Sequence, residues 1–384
     1  MLLDKLDRVL MRILHFYRTS FPDTMGGIEQ VINQIARGAS KLGVETDVLS
    51  LTPDKSPRVM EIDGYLAHRA RLDFQLASTG FSASAFLRFM QLAKKVDVIH
   101  YHFPWPFMDV VHFVSRMKKP TLVTYHSDII RQTHLLKLYR PLMRKFLTSM
   151  DHIVATSPNY LATSDVLGMF SDKVSVIPIG LDKATYPQPV PDRVKYWAEK
   201  LGTQFFLFVG VLRYYKGLHI LLEAAQGIAY PIVIVGSGPI EQELKAQVVK
   251  LGLSNIHFMG QLSDEDKVAL LTLCYGVVFP SHLRSEAFGI SLLEGAMYGK
   301  PMISSEIGTG TTFINIGDQT GLVVPPSNPV ALRQAMRYLW EHPEEAAEMG
   351  QRAEERYWTY FMAEQMVSSY VNLYGDLVSQ YHCK

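Results

Sequence analysis

The sequence predicts an α/β protein of two Rossmann-like domains, each a parallel sheet covered by helices on both faces. Three observations predict it. Short runs rich in apolar and β-branched residues alternate with longer helical patterns, as parallel strands joined by crossover helices must. The alternation comes in two series, parted by PIGLDKATYPQPVPD (178–192), whose four prolines and weak periodicity read as a linker. The chain has 384 residues, 48% of them hydrophobic, which suits two domains at roughly 100–200 residues each.

In the first series RILHF (12–16), ETDVLSL (45–51), VDVIHYH (96–102), PTLVTYH (120–126), HIVATS (152–157) and KVSVIPI (173–179) read as strands. Between the first two lies GIEQVINQIARGASKLG (27–43), whose apolar residues recur at three and four and which stops at a glycine, as an amphipathic helix does. Met11 opens a cleaner strand than Met1, so residues 1–10 read as an extension. The second series is FFLFVG (205–210), PIVIVG (231–236), IHFMG (256–260), YGVVFP (275–280), KPMISS (300–305) and TGLVVPP (320–326). A tail, YWTYFMAEQMVSSYVNLYGDLVSQY (357–381), reads as one or two aromatic-rich helices with no strand after them. The division expected is 1–185, 186–356, and terminal helices over 357–384. In such folds ligands bind outside the carboxyl ends of the strands, so the cleft between the two sheets is the expected site.

Composition removes several classes. Cys274 and Cys383 are far apart and have no CxxC partner, so neither a disulfide framework nor a thiolate zinc site is expected, and a reducing cytoplasm suits the chain. Asp4 and Asp7 interrupt the N-terminus, which does not read as a secretory signal, and no run of 18 apolar residues reads as a membrane span. Net charge is +1, and no nucleic-acid partner is expected. The charge is unevenly divided: residues 1–185 hold 23 Lys/Arg against 17 Asp/Glu, and residues 186–384 hold 15 against 20. That is either ordinary surface variation or a first domain that faces something anionic, such as a membrane or a phosphorylated acceptor. RQTHLLKLYRPLMRK (131–145) supplies much of the excess through Arg131, Lys137, Arg140, Arg144 and Lys145, with no acid and with leucines between. It reads as a core-facing helix or as a basic surface for peripheral contact with an anionic bilayer, interrupted at Pro141.

The loops that leave strand ends hold the candidate chemistry. Gly26 and Gly27 follow the first strand as a helix begins; paired glycines admit close backbone approach, and free amides at a helix start attract phosphate, although a plain turn is equally consistent. No GxGxxG occurs there. His126 ends PTLVTYH and is either structural or a hydrogen-bonding partner for a substrate oxygen. Arg213 and Lys216 leave the first strand of the second series and suit a diphosphate, one as a planar fork and the other as a point charge. VGSGP (235–239) is a further glycine-rich turn that could admit a base or ribose. SDEDK (263–267) contains Asp264-x-Asp266, but Ser263 followed by acids and an apolar run reads as a helix start, so no metal is expected. SEAFGISLLEG (285–295) places Glu286 in a loop, the amides of Phe288, Gly289 and Ile290 at a helix start, and Glu294 one turn inside. Carboxylate, amides, carboxylate is the order complementary to a nucleotide sugar, which has hydroxyls at both ends and phosphates between.

Glu, seven residues and Glu, with FG after the first, resembles the signature of the retaining family-four glycosyltransferases of the GT-B fold. GGIEQ, His126, Arg213 and Lys216 before Gly217, and GLVVPP add to the likeness over nearly the whole chain. The resemblance implies that Glu294 serves the ribose hydroxyls and Glu286 the hydroxyls of the transferred sugar, with His126 near that sugar. It implies that Arg213, Lys216 and the amides of Phe288, Gly289 and Ile290 hold the diphosphate, joined by those of Gly26 and Gly27. The arginine-to-lysine spacing is shorter than in several relatives. Metal independence, no cofactor beyond the nucleotide-sugar donor, and terminal helices that return to the first domain are also implied. FPDTMGGIEQ, TYHSDIIRQ and ATSPNYLATS are most similar to bacterial O-polysaccharide mannosyltransferases, implying GDP-mannose and a polyprenyl-diphosphate-linked saccharide at the cytoplasmic face of the membrane. An epimerase, a phosphorylase or a silent sugar-nucleotide-binding scaffold are the alternatives. A turnover assay separates them.

Overall fold

A computed structural model describes residues 11–24, 26–54, 58–76, 79–129 and 133–383. The chain divides into two compact bodies. One comprises residues 1–156, 165–180 and 363–384, and the other 157–164 and 181–362.

The first body is built on an eight-stranded sheet. Its order is Val174–Val176, His152–Ala155, Thr121–Tyr125, Val98–Phe103, Arg12–Phe16, Glu45–Thr52, Tyr65–Arg71 and Val59–Ile62. All pairings are parallel except the last, where Val59–Ile62 runs antiparallel to Tyr65–Arg71. Those two strands and the hairpin Phe74–Leu76/Thr79–Phe81 went unread in the sequence, because their apolar residues are sparse. The expected helix forms over Gly27–Lys41 and buries Val31, Ile32, Ile35, Ala36 and Ala39, the positions the three-and-four spacing selects. Order reverses between Arg12–Phe16 and Val98–Phe103, where the chain first grows one way and then the other. A doubly wound sheet opens its ligand crevice at such a point.

The second body has six parallel strands in the order Ile256–Gly260, Ile232–Val235, Phe206–Val209, Gly276–Phe279, Met302–Ser305 and Gly321–Val324. This is the 3-2-1-4-5-6 winding of a dinucleotide-binding sheet, with its reversal between Phe206–Val209 and Gly276–Phe279. Strands covered on both faces are apolar throughout, and Ile232–Val235 and Gly276–Phe279 are buried at every position. Each large aliphatic or aromatic side chain so buried contributes about 1.5–3 kcal/mol.

Three expectations change. The division falls at Gly180/Leu181, earlier than 185/186, because Leu181 already pairs with the second body through a bridge to Met362. Residues 157–164 also leave the first body. The Arg284 guanidinium donates to Thr163 Oγ1 and Gly308 O, both at 2.8 Å, and Asn159 donates to Thr312 at 3.1 Å. The tail breaks at Phe361: helix Pro343–Tyr360 stays in the second body, and only Ala363–His382 belongs to the first. There Tyr374 lies 2.7 Å from His100 Nδ1, and Tyr370 lies 2.8 Å from Thr124 Oγ1. Pro141 does not interrupt its segment; it sits inside the helix Thr133–Ser149. Residues 1–10 and Arg131 lie outside the described residues.

Candidate functional site

In the second body the two loops at the strand reversal are forced together. Gly217 has φ +70°, and a Cβ there would lie 2.0 Å from the carbonyl oxygen of Pro280, so only glycine permits the approach. That contact brings the turn Tyr214–Lys216 beside the loop that holds Glu286. Lys216 Nζ meets Glu286 Oε2 at 2.5 Å, with both side chains about nine-tenths buried. Ser281 Oγ donates to the same oxygen at 3.3 Å. Burial would depress the Lys216 ammonium, but the carboxylate beside it outweighs burial and its pKa is raised. An ammonium has three donors, so Lys216 can keep Glu286 and still meet a phosphate. Its Nζ also lies 4.7 Å from the centre of the Phe279 ring. Arg213 is exposed and its side chain has no hydrogen bond or ion pair among the described residues, leaving its fork available to an anion.

The helix Ile290–Met297 begins at Gly289, which adopts φ +98°. Ser291 Oγ donates to Val209 O at 2.7 Å, tying the helix start to the end of the adjacent strand. The Phe288 ring is buried edge-on against Phe361, 6.3 Å between centres, so it anchors the loop while the amides of Phe288, Gly289 and Ile290 remain at the helix start. Glu294 is buried one turn in. Its Oε1 accepts from Tyr186 at 2.9 Å and from Lys267 at 3.1 Å, while Oε2 has no hydrogen bond among the described residues and is not fully enclosed. Burial opposes the Lys267 charge, but Glu294 and Asp264 carry its pKa upward. The two glutamates therefore stand on separate supports, each with a cation, as paired buried charges require.

Tyr186 and Lys267 were missed in the sequence. Tyr186 lay in the stretch read as a linker, and Lys267 in the segment read only as a helix start. The helix start itself is observed: Ser263 caps Asp264–Leu273 by accepting from Asp266 N at 3.2 Å. Asp264 pairs with Lys267 at 3.0 Å, and Asp266 accepts from Trp197 Nε1 at 2.9 Å. Both carboxylates are thus engaged within the protein. VGSGP has a packing explanation, because Cβ atoms at Gly236 and Gly238 would lie 2.1 and 2.3 Å from Gly210 O and Leu212 O.

The first body places Gly26 and Gly27 at its own strand reversal and His126 one strand beyond it. Gly26 is the N-cap of Gly27–Lys41, and Gly27 is exposed. Glu29 leans over this helix start. Its Oε1 accepts from Thr19 at 2.7 Å and Thr24 at 3.1 Å, and its Oε2 lies 2.4 Å from where a Gly26 Cβ would stand. An internal carboxylate thus already sits where a phosphate was expected. His126 is buried just beyond Thr121–Tyr125 and joins a set of imidazoles that the sequence reading did not assemble. His126 Nε2 is 2.9 Å from His102 Nδ1, and His102 Nε2 is 2.9 Å from His15 Nδ1. The signal was there: side chains two apart on a strand share a face, and His15 is registered opposite His100. Burial pushes His15 and His126 down to about 3, and holds His100 and His102 well below the usual imidazole range, so all four are neutral at pH 7. His15, His100 and His102 are close enough to hold a metal ion, with ligating atoms within 4.8 Å. The nitrogens of His100 and His102 are, however, already spent on Tyr374, Thr124 and neighbouring imidazoles.

Residues 192–356 match the family described as Glycosyl transferases group 1, and residues 25–185 the family described as Glycosyltransferase Family 4. The chain is 64% identical to the D-rhamnosyltransferase WbpZ of Pseudomonas aeruginosa, over 92% of this chain and 93% of that protein. It is 50% identical to the O-antigen chain mannosyltransferase C of Escherichia coli, over 96% of this chain and 99% of that protein. Among solved structures, sucrose-phosphate synthase from Thermosynechococcus elongatus is similar with a TM-score of 0.81. That likeness covers 96% of this chain and 100% of the other, at 21% identity, and bears on the fold alone.

Proposed function

The chain belongs to the family-four glycosyltransferases of the GT-B fold, and from that premise we propose that it moves a manno-configured hexose from a GDP-linked donor, with retention, in O-antigen synthesis. One relative is a D-rhamnosyltransferase and the other a mannosyltransferase. D-Rhamnose is mannose without its 6-hydroxyl, so both point to one ring configuration. GDP-mannose is the first donor to test.

The observation that carries the reading is the pair of separately supported glutamates around a helix start at the strand reversal. Glu294 Oε2 is open to a ribose hydroxyl. Glu286 Oε1, the oxygen not engaged by Lys216, is open to the transferred sugar. Arg213, Lys216 and the amides at Phe288–Ile290 meet the diphosphate, and this fixed positive set lets the leaving group depart without a metal. By the family likeness we assign His126 a role toward the transferred sugar. Gly26 and Gly27 add amides once Glu29 gives way to the phosphate.

The acceptor we infer is a polyprenyl-diphosphate-linked saccharide at the cytoplasmic face, reached by peripheral attachment. On the helix Thr133–Ser149, Lys137, Arg140, Arg144 and Lys145 are exposed while Met143, Phe146 and Leu147 are buried; Leu138 is 80% exposed among the cations. Among the described residues no helix is long and apolar enough to cross a membrane. The test of the function is a donor panel with GDP-mannose, GDP-D-rhamnose, UDP-glucose and ADP-glucose, using a lipid-linked saccharide and following nucleoside diphosphate and glycoside together. Product from either GDP donor alone supports the reading. Free isomerised sugar, or binding without turnover, refutes it.

A further inference from the structure

The imidazoles of His15, His102 and His126 form a head-to-tail chain, with Nδ1 of one facing Nε2 of the next at 2.9 Å in both links. Strand geometry produces it. His102 is registered opposite Thr124, His126 follows two residues later on the same face, and the backbone N–H of His126 donates to Phe103 O at 3.0 Å, which keeps it in register. The rings of His15 and His102, and of His102 and His126, meet edge to edge and near-parallel, their centres 5.2 Å apart with 17° and 21° between planes.

A neutral imidazole donates from one nitrogen and accepts at the other, so the chain has only two self-consistent orders. The inner end decides between them. His15 Nε2 is fully buried and has no hydrogen-bond partner among the described residues. In one order that nitrogen would carry an orphaned N–H, the rarer and costlier defect; in the other it carries only a lone pair. The second order makes His15 Nδ1 donate to His102 Nε2, and His102 Nδ1 donate to His126 Nε2. The proton of His126 is then on Nδ1, which has no hydrogen-bond partner among the described residues.

We propose that His15 and His102 are positioning residues that lock His126 as its Nδ1–H tautomer, so that it presents a fixed donor to a substrate oxygen. The His126 contact with sugar rests on the function proposed above; the tautomer does not. Every ring nitrogen in the chain except the outermost is engaged with another imidazole or sealed from solvent. The order set at the buried end is therefore transmitted across two rings to the open end.

The experiment is nitrogen NMR of the full-length protein labelled with ¹⁵N-histidine, with His126 assigned by comparison with His126→Gln. His126 Nδ1 is expected in the protonated, pyrrole-type range and Nε2 in the pyridine-type range. His102→Phe should abolish that ordering, and His102→Gln, whose amide can both accept and donate, should restore it at least in part. In turnover, His102→Phe should lower kcat by roughly 10- to 100-fold with donor KM little changed, the range for removing the partner that orients a metal-bound histidine. Wild-type protein with Nε2 protonated overturns the proposal, as does an unaltered His126 tautomer in His102→Phe. An ordered wild-type tautomer, lost in His102→Phe without change in kcat, upholds the lock and instead removes His126 from the sugar.

Discussion

Lowering pH should destabilise this protein well before its exposed carboxylates titrate. His15, His100 and His102 are completely buried, His126 is nearly so and His112 is half-buried; burial holds each below the ordinary 6.5, His15 and His126 to about 3 and His112 to about 4. Above pH 6.5 neither folded nor unfolded chain protonates them. Below it the unfolded chain binds a proton at each while the folded core stays neutral, so stability falls as pH falls. Each imidazole costs about 1.4 kcal/mol between pH 7.5 and 5.5, or about 7 kcal/mol for the five. Asp109 opposes them: burial raises its carboxyl well above the ordinary range, with Tyr139 donating to it, so it keeps a proton that the unfolded chain releases. One proton over two pH units returns at most about 2.7 kcal/mol, leaving a loss of about 4–7 kcal/mol. That is a large part of the 5–15 kcal/mol typical of a folded protein. Urea unfolding followed by circular dichroism at the two pH values measures it. His102→Gln removes one proton acceptor and should shrink the loss by about 1.4 kcal/mol. Equal stability at both pH values, or a loss unchanged in His102→Gln, would refute the reasoning.

Steady-state kinetics should separate the two glutamates. Glu294→Ala should raise donor KM, whereas Glu286→Gln should lower kcat, each by about 10- to 150-fold for one charge-assisted hydrogen bond. Glutamine is the better probe at 286, because alanine would strand the buried Lys216 ammonium and cost about 3–5 kcal/mol in folding as well. Gly217→Ala should cost at least about 1–2 kcal/mol from its left-handed backbone alone, and more from the clash with Pro280, read as a lower melting temperature with weaker donor binding. Turnover should survive EDTA, since Arg213, Lys216 and the helix amides already oppose the diphosphate; a strict requirement for added magnesium or manganese would count against this. Sedimentation with anionic and neutral vesicles should show salt-sensitive binding to the anionic ones, weakened by changing Lys137, Arg140, Arg144 and Lys145 to glutamine, since each basic residue near such a surface contributes about 1 kcal/mol.

What could be read in the sequence is what local rules govern. The strands of the second sheet are continuous apolar runs because both faces are covered, and such runs stand out. Val59–Ile62 and Phe74–Leu76 lie at a sheet edge and in an exposed hairpin, where no such run is needed, and they did not. Glu286, Glu294, Arg213 and Lys216 could be singled out because loops leaving parallel strands are few. Their partnership could not. The Lys216–Glu286 pair depends on Gly217 lying against Pro280, a contact between segments more than sixty residues apart.

The supports of the site show the same limit more sharply. Tyr186 and Lys267 are ordinary residues in their own stretches of sequence, and each acquires a role only because Glu294 is buried between them. The histidines are different. His100 and His102 alternate within one strand, His15 ends ILH in another, and His126 follows TVTY-like β sequence in a third, TLVTYH. Period-two geometry alone puts His100 and His102 on a common face, and the order of strands then brings His15 to them. A polar residue repeated on the inward face of a buried parallel sheet contradicts the apolar filling such a face requires, unless the groups satisfy one another. Here they do, save at His15 Nε2. Four neutral imidazoles in place of aliphatic side chains weaken the sheet in acid, and an apolar substitute at any of them would remove that liability. Retaining them is consistent with a task that hydrocarbon cannot perform, namely fixing which nitrogen of His126 carries its proton.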